Sequence, residues 1–147
     1  MRNYKILLLA APFVLFACSK GGDSPTPTPP PVVVVPETDL AFKVEIASTE
    51  IDYAKIYGAI GGSQAINVNI TSTLPTDGVT IDVKVTKDAA DNAVIFTNNI
   101  TSKTAASNSI TINSLSPGVL STATVVVTSK TKSSNTATKT FKIAAKS

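Results

Sequence analysis

From residue 40 onward, apolar and polar residues alternate in short runs with a period of two. Leu40, Phe42, Val44 and Ile46 alternate with polar or small residues, and the pattern returns along the rest of the chain. This spacing puts the apolar side chains on one face of an extended strand, so each run predicts a β-strand with one buried face. Turn residues separate the runs. The predicted strands begin near residues 40, 65, 79, 93, 108, 121 and 136, and the pattern leaves room for a further short strand at 54–58.

The alternation also predicts which side chains face inward. Val83 falls on a buried position and Lys84 on an exposed one, and Phe42, Phe96 and Phe141 all fall on inward positions. No run repeats apolar residues at the 3.6-residue period of a helix, and Thr, Val and Ile are frequent. The chain is therefore predicted to be all-β, with seven to eight antiparallel strands in two sheets packed face to face.

A family resemblance supports this fold class. Leu115-Ser116-Pro117-Gly118, followed by a valine-rich strand, resembles the turn that enters strand F of fibronectin type III and related immunoglobulin-like domains. Residues 138–144 resemble their last strand, G. The resemblance covers most of residues 40–145 and implies an immunoglobulin-like sandwich spanning 39–147. Leu120 stands where a fibronectin domain has its corner tyrosine, so the resemblance is to the superfold and not to one family.

The N-terminus has the organisation of an export signal. Residues 1–5 carry Arg2 and Lys5, residues 6–16 are an apolar run, and Cys18, the only cysteine, follows Ala17. Leu15-Phe16-Ala17-Cys18 resembles the bacterial lipobox. The resemblance implies that residues 1–17 are removed as a lipoprotein signal peptide and that Cys18 carries the lipid. Two or three acyl chains anchor a protein stably in a membrane, whereas one chain holds it only marginally.

Residues 18–38 are predicted to be the lipidated cysteine and a disordered, proline-rich linker. Six prolines between residues 25 and 36 favour an extended chain that cannot bury enough apolar surface to fold. At ~3.1 Å per residue, the eighteen residues from 19 to 36 could hold a domain up to roughly 50 Å from the membrane. Ser19 after the cysteine resembles the outer-membrane sorting signal of Gram-negative lipoproteins. The expected location is the outer membrane, on its periplasmic face or at the cell surface.

The composition argues against an enzyme. The chain contains no histidine, and the lone cysteine is assigned to the anchor. Triads, histidine-bound zinc and histidine acid–base catalysis are therefore all excluded. The formal net charge is +3, two of those positive charges lie in the signal, and the other lysines are scattered along the chain. Nucleic-acid binders cluster Lys and Arg, so no nucleic-acid partner is expected. No cofactor is implied.

Two candidate sites remain. Asp88 and Asp91 place two carboxylates in one loop, which is a possible calcium site, although Asp is also frequent in ordinary turns. Tyr53 and Tyr57 are the aromatic residues that the inward pattern does not absorb, and sugar rings stack on exposed aromatics. The first hypothesis is a lipid-anchored envelope protein whose domain is structural or binds proteins. The alternative is an accessory glycan-binding module of a surface uptake complex, with Tyr53 and Tyr57 as its candidate site.

Overall fold

The computed structural model of the chain describes residues 36–146. This part of the chain is all-β and contains no helix, and so no helix long and apolar enough to cross a membrane. Nine strands form in it. They are β1 (Phe42–Ile46), β2 (Thr49–Glu50), β3 (Ile56–Ala59), β4 (Gln64–Ile70), β5 (Val79–Lys87), β6 (Val94–Ser102), β7 (Asn108–Ile112), β8 (Ser121–Ser129) and β9 (Thr136–Ala145).

The strands form two sheets. The four-stranded sheet has the order β2-β1-β4-β7, and the five-stranded sheet has the order β3-β9-β8-β5-β6. One apolar cluster draws buried side chains from both sheets. The predicted all-β class is confirmed, each of the seven predicted strands is present, and the short strand expected at 54–58 corresponds to β3.

The predicted strand count and the wholly antiparallel arrangement are wrong. The strand β2 was not predicted, and β3 pairs with β9 in parallel, whereas the other pairs of strands are antiparallel. The turn before β2 consists of Ala47 and Ser48, both with positive φ angles, of 49° and 63°. Two-residue hairpin turns of this kind usually contain Asn or Gly. Because the turn residues are Ala and Ser, with neither Asn nor Gly, this hairpin could not be predicted from the sequence.

The core follows the alternation of the strands. In β5, Val79, Ile81, Val83 and Val85 are all at most 1% exposed, whereas Lys84 lies on the solvent side. The predicted register of this strand is therefore confirmed. Burying a valine or isoleucine side chain stabilises a fold by about 1.5–3 kcal/mol, so these four residues are a large part of the driving force for packing the sheets together.

The strand β6 departs from the predicted pattern. Phe96 takes the inward position predicted for it but is only half-buried, and Val94, predicted on the same face, is 50% exposed. A register shift opposite Val85 and Thr86 places Val94 opposite the outward-facing Thr86, so Val94 lies on the outer face of the sheet, whereas Phe96 lies opposite the buried Val85. Phe96 is only half-buried because the two sheets differ in width. Since β6 is the outermost strand of the five-stranded sheet, the four-stranded sheet covers its inner face only in part.

The buried side chain of Asn135 fixes the segment that leads into β1. Its amide nitrogen donates hydrogen bonds to the Glu37 carboxylate and to the carbonyl of Thr38, each at 2.9 Å. Its amide oxygen accepts a hydrogen bond from the backbone N–H of Leu40 at 2.8 Å. The hydroxyl of Ser129 also donates to Glu37, at 2.7 Å. The first described residues are thus tied to the end of β8 and the start of β9.

Candidate functional site

The predicted lipid attachment site, Cys18, lies outside the residues that the structure describes. The signal peptide at 1–17 and most of the linker at 18–38 lie outside them as well. The anchor therefore stays a prediction from the sequence. The first described residue is Pro36, so the structure bears on the domain that such an anchor would carry.

Tyr53 and Tyr57 are not exposed as a platform. Both are half-buried and pack against the core. The Tyr53 hydroxyl accepts a hydrogen bond from the N–H of Val44 at 3.1 Å, and the Tyr57 hydroxyl accepts one from the N–H of Asp52 at 2.6 Å. The Tyr57 ring meets the Phe141 ring edge to face, with 6.4 Å between their centres. Both tyrosines thus hold the segment between β1 and β3 against the sandwich.

The two loop carboxylates have separate partners. Asp88 forms an ion pair with Lys142 at 2.6 Å and accepts a hydrogen bond from the Thr122 hydroxyl, also at 2.6 Å. The hydrogen bond from Lys142, followed by the one from Thr122, lowers the pKa of the Asp88 carboxyl below its ordinary value. Asp91 instead accepts a weak hydrogen bond from the N–H of Ala93, at 3.4 Å. Within residues 36–146, no three His, Cys, Asp or Glu side chains are grouped as metal ligands would be.

The structure brings together a surface that the sequence did not single out. On the outer face of the five-stranded sheet, the pairing of β6, β5, β8 and β9 aligns ten threonines. They are Thr80, Thr86, Thr97, Thr101, Thr122, Thr124, Thr128, Thr136, Thr138 and Thr140. We call this surface the threonine face. At one end of it, a single row of paired residues crosses all four strands and consists of threonine throughout. That row is Thr101, Thr80, Thr128 and Thr136.

Within the threonine face, neighbouring side chains stand at the spacing of the sheet. Strands lie about 4.8 Å apart, and residues on one face of a strand recur about every 6.8 Å. Side chains in a row are close enough to bond, and the Thr136 hydroxyl donates to the Thr128 hydroxyl at 3.2 Å. The face therefore presents hydroxyl groups that both donate and accept hydrogen bonds, together with apolar methyl groups.

A shallow groove runs across the centre of the threonine face. It has a volume of about 380 Å³, and its lining includes Asp82, Lys84, Asn99, Thr124 and Val126. The amide of Asn99 donates a hydrogen bond to the Asp82 carboxylate. One acidic and one basic side chain thus face solvent among uncharged neighbours, an arrangement that suits a neutral polar partner better than a strongly charged one.

A second groove opens between the two sheets, beside β1 and β9. Its volume is about 360 Å³, and Phe42, Glu50 and Lys139 are among its lining residues. The ammonium group of Lys139 lies 5.6 Å from the centre of the Phe42 ring. Lys139 points inward on the side of the sandwich where a further strand could add to β9. Inward-pointing charged residues are a common means of blocking strand addition.

The sequence pattern contained part of the threonine face. Alternation placed Thr80, Asp82, Lys84 and Thr86 on the solvent side of one strand, where they now lie. Alternation within one strand does not tell which strand lies beside it, so the four-threonine row could not be predicted. Comparison with protein-family models finds no match for this chain, and a search of curated proteins finds none either.

Proposed function

We propose that this chain is a lipid-anchored protein of the cell envelope, and that its immunoglobulin-like domain is non-catalytic and binds another protein. The strand order supports the immunoglobulin-like part of this proposal. The order β1-β4-β7 matches strands A, B and E of such domains, and β9-β8-β5 matches strands G, F and C. The anchor part rests on Cys18 and the apolar run before it.

The observation that carries the binding proposal is the threonine face. Four strands at about 4.8 Å, each contributing about eight residues at about 3.4 Å, make a surface of roughly 500 Å². A specific protein interface of standard size buries about 800 Å² on each partner, and transient contacts bury less. The face alone is therefore large enough for most of one side of a transient interface. It carries few charges, which reduces the desolvation that binding would cost.

The threonine side chain suits such a surface for a second reason. It is branched at Cβ and has few rotamers, so it loses little conformational freedom when a partner covers it. Its hydroxyl can donate to or accept from a partner's backbone, while its methyl group gives apolar contact. A glycan would need stacking aromatics, and Tyr53 and Tyr57 are already engaged by the fold. For this reason we favour a protein partner over the glycan-binding alternative.

Site-specific photo-crosslinking in intact cells tests this proposal. A photoreactive amino acid at Thr124 stands at the centre of the threonine face, and one at Thr111 on β7 stands on the opposite sheet as the matched control. The proposal predicts a discrete protein adduct from position 124 and none from position 111. Adducts to glycan, or adducts of equal yield from both positions, would contradict it.

A further inference from the structure

The strand β6 leaves a long edge of the five-stranded sheet open. Among residues 36–146, β6 bonds to β5 on one side and to no strand on the other. Its nine residues, Val-Ile-Phe-Thr-Asn-Asn-Ile-Thr-Ser, include no charged residue, proline or glycine. A register shift opposite Val85 and Thr86 distorts only its beginning, so residues 96–102 run regularly. Soluble proteins usually protect such an edge from pairing with charged residues, proline or a covering segment. The strand β6 contains neither a charged residue nor a proline.

The pairing of β5 shows which backbone groups of β6 are open. Gly78 and Lys130 continue the register of β5 and β8, and the N–H of Lys130 donates a hydrogen bond to the carbonyl of Gly78 at 3.0 Å. Because backbone groups alternate in direction along a strand, the even-numbered residues of β5 bond to β8 and the odd-numbered residues bond to β6. The partners of those odd-numbered residues are the even-numbered residues of β6. In an antiparallel ladder the alternate residues point their N–H and C=O groups the other way. The residues with such outward groups are Thr97, Asn99 and Thr101.

The inner face of β6 is also incompletely covered. Phe96, Asn98 and Ile100 all point toward the four-stranded sheet, because they pair with the buried residues of β5. Phe96 and Ile100 are nevertheless only half-buried, and Asn98 is exposed. The open edge therefore combines free backbone groups with two apolar side chains that have room for a further apolar neighbour.

We propose that this edge pairs with the same edge of a second copy of the chain, antiparallel about Asn98. In this register Thr97 lies opposite Asn99 of the second copy, and the open backbone groups of the two strands bond to each other. Asn98 lies opposite its own counterpart. The result is one continuous sheet of ten strands.

Three features favour a second copy as the occupant. The register places Phe96 opposite Ile100 of the second copy, twice by symmetry, and aromatic residues pair well with β-branched ones across strands. Like charges are not brought opposite each other, because the edge has none. On the outer face, the row that contains Asp82 continues into the row that contains Lys84 of the second copy, so opposite charges share a row.

Disulfide cross-linking tests both the pairing and its register. The full-length chain is prepared in detergent with Cys18→Ser, so that an introduced cysteine is its only thiol. With Asn98→Cys, the two sulfurs face each other across a non-hydrogen-bonded pair with Cα atoms about 4.5 Å apart, which is within disulfide reach. With Asn99→Cys, the Cα atoms are roughly 8 Å apart, beyond that reach. We expect a covalent dimer from Asn98→Cys only. A dimer from Asn99→Cys only, or from neither variant, overturns the proposal.

Sedimentation of the chain without introduced cysteines is the second measurement. Asn98→Lys puts two ammonium groups opposite each other without burying a charge in the monomer, and should weaken the dimer by at least about tenfold. Thr111→Lys adds the same charge on the exposed face of β7, in the other sheet, and should leave the dimer intact. A wild-type chain that stays monomeric up to its solubility limit overturns the proposal. So does an Asn98→Lys chain that dimerises as the wild type does.

Discussion

The ammonium group of Lys139 lies 4.5 Å from the centre of the Tyr53 ring. A cation over an aromatic face at this distance is attracted by the ring's quadrupole, and the aliphatic part of the lysine adds packing. The contact joins β9 to the loop that follows β2. Tyr53 therefore helps to close the sandwich on the side where the two sheets are open. The candidate glycan site predicted from the sequence thus includes a side chain that stabilises the fold.

We expect Tyr53→Ala to destabilise the domain by about 2 kcal/mol, less than the roughly 3–5 kcal/mol typical of a fully buried aromatic residue. Tyr53→Phe keeps the ring over Lys139 but leaves the N–H of Val44 without its acceptor, which should cost about 1 kcal/mol. Urea denaturation of the two variants measures both losses. If Tyr53→Ala unfolds at the same urea concentration as the wild type, the structural role given to this ring is wrong.

A comparison of neighbouring residues tests the register of the central strand β5. Val83→Asp places an unpaired carboxylate in the core and should destabilise the domain by several kcal/mol, whereas Lys84→Asp changes a side chain that faces solvent. Thermal melting followed by circular dichroism should show a large loss for the first variant and a small one for the second. Equal melting temperatures would mean that the strand is shifted by one residue, because that shift exchanges its two faces.

The sequence pattern predicted the strands that have one face buried in the core and the other exposed to solvent. In β5, Val and Ile alternate with polar residues because one face meets the core and the other meets water, and β8 follows the same alternation of burial although Val126 on its outer face is apolar. The prediction failed for Val94, because a register shift in β6 turns it to the outer face, and Phe96 lies inward as predicted but is only half-buried because the opposite sheet covers it in part. It also failed for β2, because Ala47 and Ser48 adopt positive φ angles that their residue types rarely show.

The ion pair between Asp88 and Lys142 should make the domain sensitive to acid. The hydrogen bond from Lys142 lowers the pKa of Asp88 in the folded chain, so its stabilising effect is present at neutral pH. That effect is lost as the pH falls below the ordinary aspartate value and through the lower folded pKa. Asp88→Asn should therefore give a smaller drop in melting temperature between neutral and acid pH. Glu45 and Asp52, whose pKa values are also lowered, should keep some acid sensitivity in the variant.

A calcium titration of the wild-type chain is the companion to this measurement. Because Lys142 and Thr122 already occupy the Asp88 carboxylate, we expect millimolar calcium to leave the melting temperature unchanged. A rise in melting temperature that Asp88→Asn or Asp91→Asn removes would establish the calcium site instead. A pH dependence that is identical in wild type and Asp88→Asn would refute the role given to the ion pair.

The anchor can be tested without reference to the fold. Cys18→Ser removes the sulfur to which the lipid would be attached, so the chain should remain as unprocessed precursor or be released as soluble protein. Metabolic labelling with a fatty-acid analogue should mark the wild type and leave the variant unmarked. Label on the Cys18→Ser chain would show that the lipobox interpretation is mistaken.

The most direct test of the central claim, that the threonine face binds a protein partner, is affinity capture from cross-linked intact cells. Thr124→Arg puts a bulky charge at the centre of the face, and Thr111→Arg puts the same charge on the exposed side of β7. Because both threonines face solvent on the outer side of a sheet, both variants should fold. We expect the protein captured by the wild type to be lost with Thr124→Arg and retained with Thr111→Arg. Retention of the same partner by Thr124→Arg would contradict the account.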